Sequence, residues 1–435
     1  MLMKKKIFTY TLKVTLLVLS LSLSIVSCEK NIIDVSENLT NETVEFIDKD
    51  YKVSVDEAKE NLLEFLNAIE SSSENGEIST RSRATRTIKN IEAVRNKSQN
   101  ITTYSLNENS RDHVDTLMYL INFDNDEGFA LVAADKRTSA IYALIDNGFL
   151  SADSMDKIDN PGFNIFLDNA KTKILTDIAD FDVEKNEIEK SDGKFATYSI
   201  PIVDVKLKTI WGQRSPYDMY CPAGCPTGCV MTATAQILSY FQTVRSVQYY
   251  DKGITNSSSL NWTQIISDCN NNNGALDRTR TPQSAVQVAH LMRYLGLTFN
   301  ASYSPSGTGA VSSTAVNWLK TAGGLSSTTN LYTFKCADVY PALMSDKLIY
   351  ARANDVNTGG GHAWVIDGIV IYNFDSSRPP YYFLHCNWGW NGDCDGYYLN
   401  GAFDSDSYVN GNAQQGNGSI RYKFNHNVQM AIVGK

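Results

Sequence analysis

Basic residues are neither abundant nor clustered in this 435-residue chain: 39 Lys and Arg stand against 48 Asp and Glu, a formal net charge of −9. No stripe of positive charge is present to follow a phosphate backbone, so nucleic acid is not an expected partner. Eight cysteines over this length are too few for a disulfide scaffold, and the composition is far from that of collagen. Only one long apolar run occurs, Val14 to Val26, and its 13 residues fall short of a bilayer-spanning helix, which argues against a multi-span membrane protein. Histidine is rarer still, with five in the chain, so candidates for acid–base work are few. Apolar surface, by contrast, is ample. With 17 Phe, 23 Tyr and 6 Trp, and 43% hydrophobic residues, the chain has a core to bury, and its length suggests two or three domains.

The N-terminus reads as a targeting segment. Lys4, Lys5, Lys6 and Lys13 precede the apolar run, which closes at Ile25-Val26-Ser27-Cys28. This pattern resembles a bacterial lipoprotein signal, which implies cleavage before Cys28, lipid chains on that residue, and export. The expected location is the cell envelope, anchored at a membrane surface through Cys28, or outside the cell after maturation. Residues 29–50 are polar and acidic and read as a tether.

From residue 45 to 183 the pattern is that of a small α+β domain with no evident catalytic constellation. Apolar residues at helical spacing predict a helix over Val55–Ile69. Residues 71–86 are rich in Ser, Thr and Glu, carry Arg81, Arg83 and Arg86, and read as an exposed loop open to proteolysis. Two strand-like runs, 115–123 and 129–134, flank an Asx/Gly turn at 124–128 and predict a hairpin. A third strand at 141–145 and a helix at 163–178 complete the domain. Residues 183–195 are charged and without apolar pattern, a linker. Beyond it lie seven of the eight Cys and all six Trp.

The chemistry is expected there. Cys221, Cys225 and Cys229 are close together, but no second Cys/His pair follows at a distance suited to zinc, and no metal or organic cofactor is expected. Pro226 and Gly228 break the chain before Cys229, and a run of small residues at helical spacing follows. Cys229 should then open a buried helix, whose N-terminal N–H groups and dipole favour a thiolate. A thiol nucleophile needs a base. His113 lies in the N-terminal domain, His290 sits in a helical pattern that reads as packing, and His426 falls in a polar turn. His362 differs: it follows the glycines 359–361 and leads into the strand-like run 363–372, so the backbone can bend closely there and present the imidazole at a strand end. Further on comes Asn387-Trp388-Gly389-Trp390. Asn387 can orient an imidazole, and the indoles can exclude water from it.

In order and in wording these segments are similar to those of papain-like cysteine peptidases. The runs 227–237, 361–368 and 387–390 resemble the streptopain family, and Glu127 to Arg137 resembles that family's prodomain. The likeness extends from about residue 50 to 435. It implies an α+β architecture: a papain-like peptidase domain, with a helical part and an antiparallel β part, preceded by a small α+β prodomain. The implied division is a signal peptide at 1–27, tether, inhibitory prodomain and linker at 28–195, and a peptidase domain at 196–435. It implies a cysteine endopeptidase made as a zymogen, acting on proteins or peptides, with its own prodomain as intramolecular inhibitor. Cys229 would be the nucleophile and His362 the general acid/base. Gln213, in Trp211-Gly212-Gln213, would supply an oxyanion donor, and Asn387 or Trp388 would orient His362, the indole only through packing because it is donor-only. The loop 410–418 is similar to the family's mobile loop over the substrate cleft. The extra cysteines 221 and 225 depart from the pattern. They either pair, with each other or with Cys269, Cys336, Cys386 or Cys394, or stay reduced. Activation is expected near 183–195, and also at Arg81 to Arg86. A catalytically inactive binding lipoprotein of the same fold, or an acyl transferase with the same Cys–His chemistry, is the alternative.

Overall fold

The computed structural model describes residues 51–72, 86–96, 115–181, 202–355, 360–372, 380–404 and 424–435. The signal and tether, the linker 183–195, Arg81 and Arg83, His113 and the loop 410–418 lie outside those residues.

The N-terminal portion runs α1 (Val55–Ser72), β1 (Ile88–Arg95), β2 (Thr116–Phe123), β3 (Phe129–Ala133), β4 (Ile141–Ile145) and α2 (Pro161–Ala179). After a short β5 (Ile202–Val203), the C-terminal portion begins with α3 (Cys229–Phe241), the hairpin β6 (Ser246–Asp251) and β7 (Ile254–Ser259), α4 (Trp262–Asn271) and α5 (Pro282–Thr298). Then come the hairpin β8 (Ser302–Ser304) and β9 (Gly307–Gly309), α6 (Ser312–Lys320), β10 (Tyr332–Thr333) and α7 (Cys336–Met344). The chain closes with β11 (Leu348–Asp355), β12 (Gly361–Tyr372), β13 (Tyr381–Asn387), β14 (Gly396–Leu399) and β15 (His426–Val433).

Helix and strand boundaries follow local chemistry. Helix α2 starts where Asn160 accepts from the N–H groups of Gly162 and Phe163 and Pro161 supplies a pre-set φ at the first turn. The predicted hairpin is present as β2–β3, with Asn125 and Gly128 at positive φ in its turn.

One antiparallel sheet of 11 strands joins the two portions, in the order β1-β2-β3-β4-β14-β13-β12-β11-β15-β10, with β5 alongside β12. The join is β4 on β14, where Ile145, Leu144 and Ala143 oppose Gly396, Tyr397 and Tyr398. One apolar cluster crosses this join. Phe65 of α1 lies 4.6 Å from Phe383 of β13, and Phe166 of α2 lies 4.6 Å from Tyr398 of β14, centroid to centroid. A second cluster fills the space between the other sheet face and helices α3 to α6. Each buried aromatic contributes on the order of 1.5–3 kcal/mol, so the join is a core rather than a loose contact.

Three expectations need amendment. Strand β1 was not foreseen. His426 opens β15 rather than lying in a turn. Arg86 is docked: its guanidinium donates to the Ile145 carbonyl at 3.2 Å and covers the Phe123 ring.

Candidate active site

Gly228, just before α3, takes φ +94°, a conformation that favours glycine. A Cβ there would come within 2.6 Å of the Thr308 carbonyl oxygen, and the Thr308 hydroxyl donates to the Pro226 carbonyl at 2.6 Å. Helix α3 therefore opens at Cys229. The backbone N–H groups of Ala363, Val230 and Cys229 itself favour the thiolate there. Ala363 directly follows His362, so the helix end that holds the thiol abuts the strand that carries the imidazole.

His362 is the second residue of β12, opposite Ala353 of β11. Gly361 allows the close approach of β11, since a Cβ would lie 2.2 Å from the Ala353 carbonyl oxygen. The imidazole is 3% exposed and is framed by the indoles of Trp364, Trp388 and Trp390. Its Nε2 lies 2.7 Å from the Trp388 carbonyl oxygen. A carbonyl only accepts, so Nε2 carries the proton and Nδ1 is left with the lone pair.

Asn387 does not hold the imidazole. Its Oδ1 accepts from Gln236 Nε2 at 2.7 Å and from the Gly389 N–H at 3.2 Å, while its Nδ2 donates to the Thr209 carbonyl. The Trp388 indole is equally committed, its Nε1–H shared between the Cys394 carbonyl and the Tyr398 hydroxyl. Trp388 holds His362 through its backbone. Gln213 is buried, and its carbonyl accepts from the Thr227 N–H at 2.8 Å, two residues before Cys229.

Burial sets the electrostatics of this form. It pushes the Cys229 thiol up, against the three N–H groups and the Arg352 charge, so the expected lowering by the helix end is outweighed here. Burial also pulls the His362 imidazole down to about 4, with the Trp388 carbonyl opposing it. Thiol and neutral imidazole are thus the favoured states.

The other cysteines among the described residues, Cys221 and Cys225 included, are free thiols. His290 is a packing residue, stacked on Tyr220 and bonded to the Tyr249 hydroxyl. Two buried features had no assignment from sequence. Gln236 links separate parts of the site, and its place seven residues after Cys229, on the same helix face, was the signal available. His385 bonds Asp367 at 2.6 Å and Asp146 at 3.0 Å; Asp146 is 239 positions away, and no local pattern joins them. A cleft of about 510 Å³ beside Gly361 is lined by Asn160, Pro161, Asp168 and His426. A hollow of about 640 Å³ near Tyr332 and Lys347 touches none of the candidate residues.

Comparison with known proteins agrees with this layout. The Peptidase C10 family model matches residues 211–398, and a model described as Spi protease inhibitor matches residues 50–174. These two matches, in this order, support a streptopain-family papain-like cysteine peptidase zymogen. Streptopain of Streptococcus pyogenes is 26% identical over 357 residues, covering 73% of this chain and 80% of streptopain. A prointerpain A fragment of Prevotella intermedia is similar in structure, with a TM-score of 0.50 at 23% identity over 72% of this chain and 94% of the fragment. That likeness bears on the fold. Along the chain the inhibitor-type match precedes the peptidase match. The N-terminus of the prodomain helix α2 lies against the site: a Cβ on Gly162 would fall 2.1 Å from the Trp388 ring, and Asn160 Nδ2 donates to the Asp393 carbonyl.

Proposed function

We propose that the protein is an exported cysteine endopeptidase, made as a zymogen and lipid-anchored through Cys28. In this reading the Cys229 sulfur attacks a substrate carbonyl as its proton passes to His362 Nδ1. The imidazolium then protonates the leaving amine, and the neutral ring activates water to hydrolyse the thioester. The backbone N–H of Cys229 and the Gln213 amide stabilise the tetrahedral oxyanion, and loss of one such donor costs roughly 3 kcal/mol. The Trp388 carbonyl fixes the ring tautomer, the task an Asn side chain performs in the general scheme. The prodomain holds the site latent by covering Trp388 with α2 and completing the sheet at β14.

The observation that carries this reading is that Cys229 opens α3, which packs on β12, the strand carrying His362, whose Nε2 is held by the Trp388 carbonyl while Nδ1 keeps its lone pair. Cys229→Ala is expected to abolish peptide hydrolysis by the activated protein while leaving its melting temperature within a few degrees of wild type. Undiminished hydrolysis would overturn the assignment. Anchoring is tested separately by Cys28→Ala, which should release the protein from membranes without altering its peptidase activity.

A further inference from the structure

Gln236 is fully buried on α3 and lies two helical turns from Cys229, on the same face. Its amide uses both ends. Oε1 accepts from the backbone N–H of Trp211 at 2.9 Å, and Nε2 donates to Asn387 Oδ1 at 2.7 Å. Trp211 is two residues from Gln213. Asn387 Oδ1 also takes the N–H of Gly389, so the carbonyl that holds His362 lies between two residues fixed at one oxygen. Thr232, one turn nearer Cys229, adds a weaker tie from its hydroxyl to the Gly212 carbonyl at 3.4 Å.

We propose that Gln236 is a positioning residue for the peptidase reaction: its single amide sets the nucleophile helix, the Trp211–Gln213 segment and the Asn387–Gly389 turn in register. This rests on the cysteine-peptidase reading above. Gln236 touches neither substrate nor reacting atoms; it acts through the Trp388 carbonyl on one side and the Gln213 segment on the other. Its exchange for a residue that cannot donate leaves Asn387 Oδ1 short of a partner and lets the turn shift. The Trp388 carbonyl then draws away from Nε2, and the imidazolium loses a stabilising acceptor.

Gln236→Glu retains size and the acceptor for the Trp211 N–H but removes the donor to Asn387. Measured on the full chain after proteolytic activation, it should lower kcat roughly 10- to 100-fold, the effect of displacing reacting groups by about an ångström, with KM within about threefold of wild type. The alkaline limb of the kcat profile, which reports loss of the imidazolium, should move to lower pH. Gln236→Met, apolar and of similar length, removes both bonds and serves if the first variant folds poorly; it should show the same limb shift with a larger loss of kcat. A merely structural role would lower the melting temperature and the yield of active enzyme but leave the limb in place. Wild-type kcat and an unmoved limb in a folded variant would overturn the inference and leave the peptidase reading intact. A wild-type enzyme that hydrolyses no peptide after activation would instead remove the reading on which it rests.

Discussion

At the scale of single residues, backbone groups take up tasks that side chains were expected to perform. Asn387 was the natural partner for His362 because side chains are what a sequence displays; the group at 2.7 Å from Nε2 is the carbonyl of the next residue. The candidate pair itself was legible, since Gly228 and the glycines before His362 mark backbone that has to bend. Gly228 makes this testable. With φ +94° and 2.6 Å to both Met231 Cε and the Thr308 oxygen for any added Cβ, Gly228→Ala should cost roughly 1–3 kcal/mol of stability. It should also slow Cys229 chemistry by displacing the first turn of α3. Chemical denaturation and alkylation rates on the same protein measure the two effects, and a variant matching wild type in both would show that the strain is absorbed without moving the sulfur.

Among the secondary-structure elements, α2 and β14 connect prodomain to peptidase. The helix was readable from its periodicity and its Asn160-Pro161 start. The consequence of that start was not: Gly162 is a glycine because the Trp388 ring occupies the space a side chain would need. Strand β1 escaped notice because it is a half-exposed edge with no strict alternation of apolar and polar residues. The pairing of β4 with β14 escaped notice because register between strands over 200 positions apart leaves no local trace. Overpacking at such a contact costs about 1–3 kcal/mol, so Gly162→Leu should raise the undocked fraction of the zymogen about ten- to hundredfold. The expected result is peptide hydrolysis by uncut chain and faster proteolytic release of the prodomain. Latency equal to wild type would mean that α2 does not restrain the site.

Across the whole molecule, protonation links the two domains. Burial disfavours a charged His385, yet the carboxylates of Asp367 and Asp146 outweigh it and hold the imidazole well above its ordinary range; Asp146 lies in the segment that the inhibitor model matches. Burial raises Asp395, next to this cluster, to about 8. Both groups bind protons more tightly when folded. The His385 contribution is therefore complete below about pH 6.5 and is lost as pH rises through its folded value. The Asp395 contribution declines from about pH 4 until it is gone above about 8. His362, held neutral with a pKa of about 4, has the opposite sign: its contribution is complete above about 6.5 and is lost as pH falls through 4. Between about pH 4 and 6.5 the Asp395 and His362 contributions oppose each other, so the zymogen should keep its stability up to about pH 6.5 and lose it as pH rises further, where Asp395 and His385 decline together. Asp146→Asn should lower the melting temperature at pH 6 and flatten the alkaline decline, and an unchanged profile would show that the cluster does not link the domains. Such long-range couplings are what the sequence concealed, while the fold class was open to view. The pairing of Cys229 with His362 is tested most directly by mass-spectrometric mapping of iodoacetamide labelling at pH 6, before and after prodomain removal. Cys229 in the mature domain is predicted to label at least about tenfold faster than the other thiols, to lose that lead in His362→Ala, and to label slowly in the zymogen, where burial favours the thiol. A Cys229 that labels no faster than Cys221 or Cys225 in the mature protein would contradict the pairing.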